Sequence, residues 1–249
     1  MSAALPFGNL PLNKAELKII HDLRLKKHRD EFQLFVAEGD KCIGELISYF
    51  PLVCHLTPQN TPVSTLERLS SLRSPQGSLA VFKQRITSLQ EIDYSDLVLV
   101  LDGIQDPGNM GTILRTCDGF GVHDVVCSDD TVDVYSHKVV QATMGAFARV
   151  RTHYVRSLPD YLKDVRVSQP HLPVYGTLLD GKNMYAEDAL PSRRQGILIM
   201  GNEGNGISPA VRSCITNPLF IPPFANKTVE SLNVGIATAI VLSYFRQPI

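Results

Sequence analysis

Hydrophobic and polar positions follow two textures along this chain, and they change near residue 90. In the first, Leu17, Ile20 and Leu23–Leu25 recur at helical spacing within 13–29, predicting a helix with a charged outer face. Residues 38–50, EGDKCIGELISYF, repeat that pattern up to Pro51. Apolar stretches at Leu52–Leu56 and Leu79–Phe82 read as strands, with a short helix at Thr65–Leu72 in a segment rich in Ser, Thr, Pro and Gln. The polar segment Gln84–Asp96 then reads as a linker. In the second texture, strands alternate with helices. Leu97–Leu101 is a continuous apolar run, as in a strand buried on both faces. Further strands are predicted at Val122–Cys127, Val174–Leu179 and Ile197–Met200, and helices at Asn109–Phe120, Lys138–Arg149 and Leu232–Phe245. The alternation predicts a mainly parallel sheet with helices on both faces. Two domains follow, a small α/β unit at 1–88 and a larger α/β unit at 95–249.

The 249 residues are 44% apolar and 20% charged, the balance of a globular protein able to bury a core without staples. Five cysteines without a CxxC pair argue against a zinc site and suit a reducing compartment. The N-terminal stretch lacks a signal-peptide pattern, and no apolar run nears the roughly 20 residues of a membrane span, so a cytoplasmic protein without a membrane partner is expected. A net charge of −1 gives no global sign of nucleic-acid binding. Locally, Arg24, Lys26, Lys27 and Arg29 form a basic cluster that fits either a solvated helix end or a phosphate contact.

Three turns carry the candidate chemistry. The first, LDGIQDPGNMGTILR at 101–115, runs from a strand into a helix, with Pro107 and Gly108 in the turn, Asn109 as a possible cap and Arg115 further along the helix. The second, ILIMGNEGNGIS at 197–208, puts Gly201, Gly204 and Gly206 after a buried strand. Ile207 stands where a phosphate-binding loop needs lysine, and the glycines miss the dinucleotide order, which disfavours nucleoside triphosphatases and dinucleotide enzymes. Glu203 at its centre suits a ligand with positive charge or hydroxyl donors, while Ser208 and Pro209 begin a helix. The third, at 221–237, holds two prolines, then Ser231 as a candidate N-cap, then Asn233 in the first turn of an apolar helix, where it needs a partner.

DPGNMGTILRT at 106–116, IMGNEGNGIS at 199–208 and IPPF…ESLNVGIATAI at 221–240 together resemble the SpoU branch of the SPOUT methyltransferases. The segment SHKVVQATMGAFARV at 136–150 is similar to the family as well. LRLKKHRDEFQLFVAEGDKCIGELI resembles the small RNA substrate-binding domain that precedes the methyltransferase in many ribosomal RNA members. The resemblance implies a deep trefoil knot in the C-terminal domain, a homodimer, S-adenosylmethionine as cofactor and a ribose 2′-hydroxyl of RNA as substrate. Ribosomal RNA is favoured over transfer RNA. It implies catalytic roles for Asn109, Arg115, Glu203, Ser231 and Asn233. Cofactor contacts fall on Gly201, Asn202, Gly206, Ile221, Ser231 and Leu232, and RNA-phosphate contacts on Arg24, Lys26, Lys27 and Arg29. Across a dimer, Arg115 could act in the partner's pocket. The sequence departs from many relatives in its longer loop at 224–230 and in Gln141, where they carry a basic residue.

The same residues disfavour two rival readings. A non-catalytic RNA-binding relative is expected to lose at least one of Asn109, Arg115, Glu203, Ser231 and Asn233, and all are present. An unrelated nucleotide-binding α/β enzyme is disfavoured by the missing lysine and the glycine order.

Overall fold

The computed structural model of the chain describes residues 7–8, 10–186, 190, 194–223 and 231–247. In chain order the elements are α1 (Lys14–Asp22), α2 (Lys26–Phe32), β1 (Leu34–Glu38), α3 (Asp40–Leu46), β2 (Leu52–Leu56), α4 (Val63–Leu69) and β3 (Leu79–Lys83). Then follow β4 (Leu97–Asp102), α5 (Pro107–Gly119), β5 (Asp124–Ser128), α6 (His137–Thr143), β6 (Arg151–Val155) and α7 (Leu158–Ser168). The last are β7 (Val174–Asn183), β8 (Gly196–Gly201), α8 (Pro209–Arg212), β9 (Asn217–Phe220) and α9 (Val234–Phe245). The chain divides into two compact units, 1–86 with 133–149, and 87–132 with 150–249.

The first unit is built on a three-stranded antiparallel sheet in the order β1-β3-β2. One face buries Leu34, Leu56, Leu79 and Val81 against Ile20, Leu23, Leu66 and Leu69 of the helical segments. The other carries an aromatic cluster in which Phe35 meets Phe50, Phe82, Tyr135 and Phe147, with ring centroids 4.9–5.7 Å apart. Tyr135 and Phe147 come from 133–149. That segment therefore packs with the N-terminal sheet, although the sequence reading set it beside the C-terminal motifs. Packing of large rings, worth more than their area alone, draws it there.

The helix expected over 13–29 is two helices. Leu25 is extended, with φ −93° and ψ 133°, and α2 starts after it. Arg29 stabilises the break: Nη1 donates to the Leu23 and Arg24 carbonyls at 2.8 Å, satisfying acceptors that the end of α1 leaves open. At the other end of α1, Asn13 and Glu16 form a reciprocal capping box. Similarly, the helix expected at 138–149 is α6 followed by a 3-10 turn at Ala146–Ala148. Strands β1, β6 and β9 and helix α7 were not expected.

The second unit is a six-stranded sheet in the order β6-β5-β4-β8-β7-β9, every neighbouring pair parallel. Its centre matches the expected parallel sheet. All the apolar residues of β4 are at most 1% exposed, as the unbroken apolar run requires. Val98, Val100, Ile197 and Ile199 face Leu158, Leu162 and Val165 of α7 and Val211 of α8. On the opposite face, α9 packs on β8, with Phe245 edge-on to Tyr175 at 4.9 Å. Helices α5 and α9 also pack together, and a Cβ on Gly235 would approach Thr112 Cγ2 to 3.0 Å. No helix among the described residues is long and apolar enough to cross a membrane. The five cysteines are free; burial pushes the Cys42 and Cys54 thiols up to about 11 and about 12, the protonated, unreactive range.

Candidate active site

In a parallel sheet all strand C-termini share one edge. Here the connections leave β4 towards β5 on one side, while β8 and β7 lie on the other. The β4–β8 boundary is thus a topological switch point, where loops diverge and leave a crevice at the C-terminal edge. Two of the three motif turns emerge there, 103–106 after β4 and 201–206 after β8. The third turn ends at the start of α9.

A chain of side-chain hydrogen bonds joins the three turns. Asn233 is the N-cap of α9, and its Oδ1 accepts from the Gly235 and Ile236 amides at 2.9 and 3.3 Å. That acceptance fixes the orientation of its amide, so Nδ2 points outward and donates to Asn109 Oδ1 at 2.8 Å. Asn109, oriented in turn, donates from Nδ2 to Glu203 Oε1 at 2.9 Å. The same oxygen receives the Asp106 amide at 3.4 Å. The order is directional and uses the separate donor and acceptor atoms of the amides at 109 and 233. The start of α9 is thereby linked through Asn109 to the carboxylate of Glu203, and the start of α5 reaches it through Asp106.

The caps differ from those expected. Asp106, not Asn109, caps α5: its carboxylate accepts the Asn109 amide at 2.8 Å and Pro107 occupies the first turn. Asn109 is inside the helix, which frees its side chain for Glu203. Asn233, not Ser231, caps α9, which begins at Val234. Ser231 is exposed just before it. Ser208 precedes α8 without a side-chain cap bond; its amide instead donates to Asp102 Oδ2 at 2.7 Å. Asp102 and Asp106 were missed, although Asp-Pro at a strand-to-helix turn is a readable start signal.

The glycine loop is closed on itself. Asn202 and Gly206 exchange backbone hydrogen bonds at 3.0 and 2.9 Å, and a Cβ on Gly201 would lie 2.3 Å from the Gly206 carbonyl carbon. Glycine at 201 therefore allows the backbone to approach itself. Asn202 Oδ1 accepts from the Gly204 and Asn205 amides at 2.9 and 3.0 Å. Glu203 is exposed at the tip. Ile221 is part-exposed at the end of β9, and Leu232 is 45% exposed beside Asn233. Apolar side chains left open at such an edge, next to backbone turns and one carboxylate, fit an adenosine-like ligand with a positive centre.

Arg115 is exposed on α5, and its side chain has no ion pair or hydrogen bond with a described residue. Six residues of helix place it about 120° round the axis from Asn109. It shares the side of Thr112, three residues back, where α9 packs. The structure thus unites Asn109, Glu203 and Asn233, and leaves Arg115 and Ser231 outside that network. The loop at 224–230 lies outside the described residues.

The basic cluster in the first unit is not one surface. Arg29 has a side chain only 5% exposed and pairs with Asp133 at 2.6 Å. Its guanidinium braces the interior rather than facing a phosphate. Arg24 donates to the Arg68, Leu69 and Ser70 carbonyls at 2.6–3.1 Å. Lys26 and Lys27 are exposed, Lys26 beside Asp30 at 2.8 Å. Gln141 donates to the Glu38 carbonyl at 2.8 Å, so it too has a structural task.

Residues 96–243 match the SpoU rRNA Methylase family. The Bacillus subtilis 23S rRNA (guanosine(2553)-2'-O)-methyltransferase RlmP is 35% identical over 240 residues, spanning 90% of this chain and 93% of its own. A protein of the TrmH family from Porphyromonas gingivalis superposes with a TM-score of 0.85 at 40% identity, over 94% of this chain and 98% of that one. An AdoMet-bound rRNA methyltransferase from Sinorhizobium meliloti gives 0.80 at 27% identity, over 94% of each chain. A match across more than half the chain, containing all three motif turns, means that this protein belongs to the SpoU rRNA methylase family.

Proposed function

We infer that this protein is an S-adenosylmethionine-dependent RNA methyltransferase that modifies a ribose 2′-hydroxyl, with ribosomal RNA as substrate. The observation that carries the reading is the Asn233–Asn109–Glu203 chain at the β4–β8 switch point. It joins the family's three motifs in one crevice. When bound, S-adenosylmethionine supplies a methyl group already activated by its sulfonium. The protein's tasks are to align the hydroxyl and to ease loss of its proton. The backbone of 201–206, with Gly201, Asn202 and Gly206, would hold the cofactor together with Ile221, Ser231 and Leu232. The relay from α9 keeps Glu203 turned towards Asn109. The converging starts of α5 and α9 favour negative charge, which suits an RNA phosphate in the crevice.

A guanidinium donates hydrogen bonds and accepts none, so Arg115 acts by holding the phosphate beside the target ribose and stabilising the developing alkoxide. Its place on the α5 side where α9 packs, with Ile236 54% exposed on α9, supports a homodimer in which Arg115 serves the partner's crevice. The trefoil knot is part of the same proposal. Chain leaving the outer strand β9 must return to the centre, where Asn233 meets Asn109. In the first unit, which we propose as the RNA substrate-binding domain, Lys26 and Lys27 are the cations placed to meet phosphates, and a cytoplasmic location fits five free cysteines.

The test is nucleoside mass spectrometry of ribosomal RNA from cells lacking the gene, incubated with the protein and isotopically labelled S-adenosylmethionine. A labelled 2′-O-methylnucleoside is expected. If cofactor binding is present and no label appears in ribosomal or transfer RNA, the reading fails.

A further inference from the structure

Beneath the Asn109–Glu203 contact, the two loops that form the crevice are also tied at the Gly103 peptide. Its φ is +73°, and a Cβ there would come to 3.2 Å from Asp130 Oδ2. Its N–H donates to Ser128 Oγ at 2.9 Å, and its carbonyl accepts from Asn202 Nδ2 at 2.6 Å. The first bond comes from the end of β5, the second from the glycine loop after β8. Both ends of the bridge are held. Ser128 Oγ donates to Asp130 Oδ1 at 2.5 Å and lies 2.9 Å from Thr131 Oγ1, whose hydroxyl reaches the Leu101 carbonyl at 3.3 Å. Asn202 Oδ1 is occupied by the Gly204 and Asn205 amides. The Asn202 amide is therefore turned inward and spans from the glycine loop to Gly103. Three residues on from Gly103 is Asp106, whose amide meets Glu203; six on is Asn109.

We propose that Ser128 and Asn202 are positioning residues for methyl transfer. Acting through the Gly103 peptide, they set the spacing between the loop that carries Asn109 and the loop that carries Glu203. The proposal rests on the methyltransferase reading. It gives the Asn202 side chain a task other than touching the cofactor, and it adds Ser128, which lies outside all three motif turns. Small displacements in such a constellation are costly, because a misplacement of about 1 Å can lower a rate by about a hundredfold.

Two substitutions separate this role from general support. Asn202→Asp keeps the acceptor for Gly204 and Asn205 and replaces only the donor that faces the Gly103 carbonyl. Ser128→Ala removes the other end of the bridge without touching the glycine loop. Each full-length protein would be assayed three ways. These are amide exchange of 201–207 without RNA or cofactor, S-adenosylmethionine affinity by calorimetry, and kcat and KM for RNA methylation. Both variants are expected to speed exchange in 201–207 and to lower kcat roughly tenfold or more, with KM for RNA within about threefold. The double variant should lose no more than the worse single, since both act through one peptide. Should Ser128→Ala not fold, Ser128→Cys, of similar volume and a weaker acceptor, carries the same test. Unchanged exchange in 201–207 on altering Ser128, or an Asn202→Asp loss confined to cofactor affinity, overturns the proposal. Wild-type protein that transfers no methyl group would instead sink the functional reading, and the exchange result would still decide whether the bridge exists.

Discussion

Two polar clusters occupy opposite edges of the six-stranded sheet, and they are built to different ends. At the C-terminal edge, Asn233, Asn109 and Glu203 form a chain of amides ending in one exposed carboxylate. At the N-terminal edge, Asp124 begins β5 opposite Arg151 of β6. Arg151 donates to it from Nε and Nη2 at 2.7 and 2.6 Å, and His153 Nε2 lies 2.9 Å from Oδ1. Burial alone would raise the Asp124 carboxyl, but bonds from Arg151 and His153 outweigh it and hold the group well below the usual carboxylate range. Asp124 and His153 side chains are 3% and 1% exposed. A buried charge must be matched in place. An exposed one, held on one oxygen by Asn109 and Asp106, keeps capacity for a ligand. One edge is a fastening and the other the proposed site.

The comparison can be broken from either end. The largest expected effect is on turnover. Arg115→Ala removes the proposed phosphate and alkoxide contact while leaving the sheet intact, so kcat should fall by about a hundredfold to a thousandfold with an unchanged melting temperature. Asn109→Asp sets a carboxylate opposite Glu203 at a separation of 2.9 Å in the present structure, and removes the donor. Methylation should fall by about a hundredfold, and the loss should be larger than that of Asn109→Ala.

At the other edge the same kind of change should act on stability. Asp124→Ala strands His153 and Arg151, and should cost about 3 kcal/mol in denaturant unfolding while kcat of the folded protein is kept. The sign of the pH dependence follows from the depressed folded pKa of Asp124. Its contribution is fully present above the unfolded value of about 4 and is lost as pH falls below it. An acid titration of stability should therefore show a limb below about pH 4 that is flattened in Asp124→Ala. If Asp124→Ala lowers kcat as strongly as Arg115→Ala, the division between fastening and site fails. The smallest effect belongs to the first unit. Lys26→Ala and Lys27→Ala should each lessen the slope of RNA affinity against salt by about one, and Arg29→Ala should destabilise the protein instead.

Much of this was legible in the sequence, for definite reasons. The LVLVL run of β4 could only be a strand buried on both faces. The three turns carried their glycines, prolines and asparagines in an order with few readings. Other features were not legible. Strand β1, LFVAE, carried an apolar run, but the helix before it ends at Gln33 with φ +53°, which has no glycine or proline to announce it. The break at Leu25 is likewise unmarked, because its stabilising partner is a side chain of the next helix. Arg29 looked like part of a basic surface, and what removes it from that surface is Asp133, 104 residues away in the chain.

The sequence by itself determined the alternation of strands and helices, the family and the membership of the three turns, since these depend on periodicity and on local backbone chemistry. Only the tertiary structure decided which residues cap which helices, that Asn233 meets Asn109 across 124 positions, and that Asn202 is turned inward to Gly103. An amide or a guanidinium has the same composition whether it faces water, a ligand or a carbonyl. The long-range partner that the fold brings to it chooses among these.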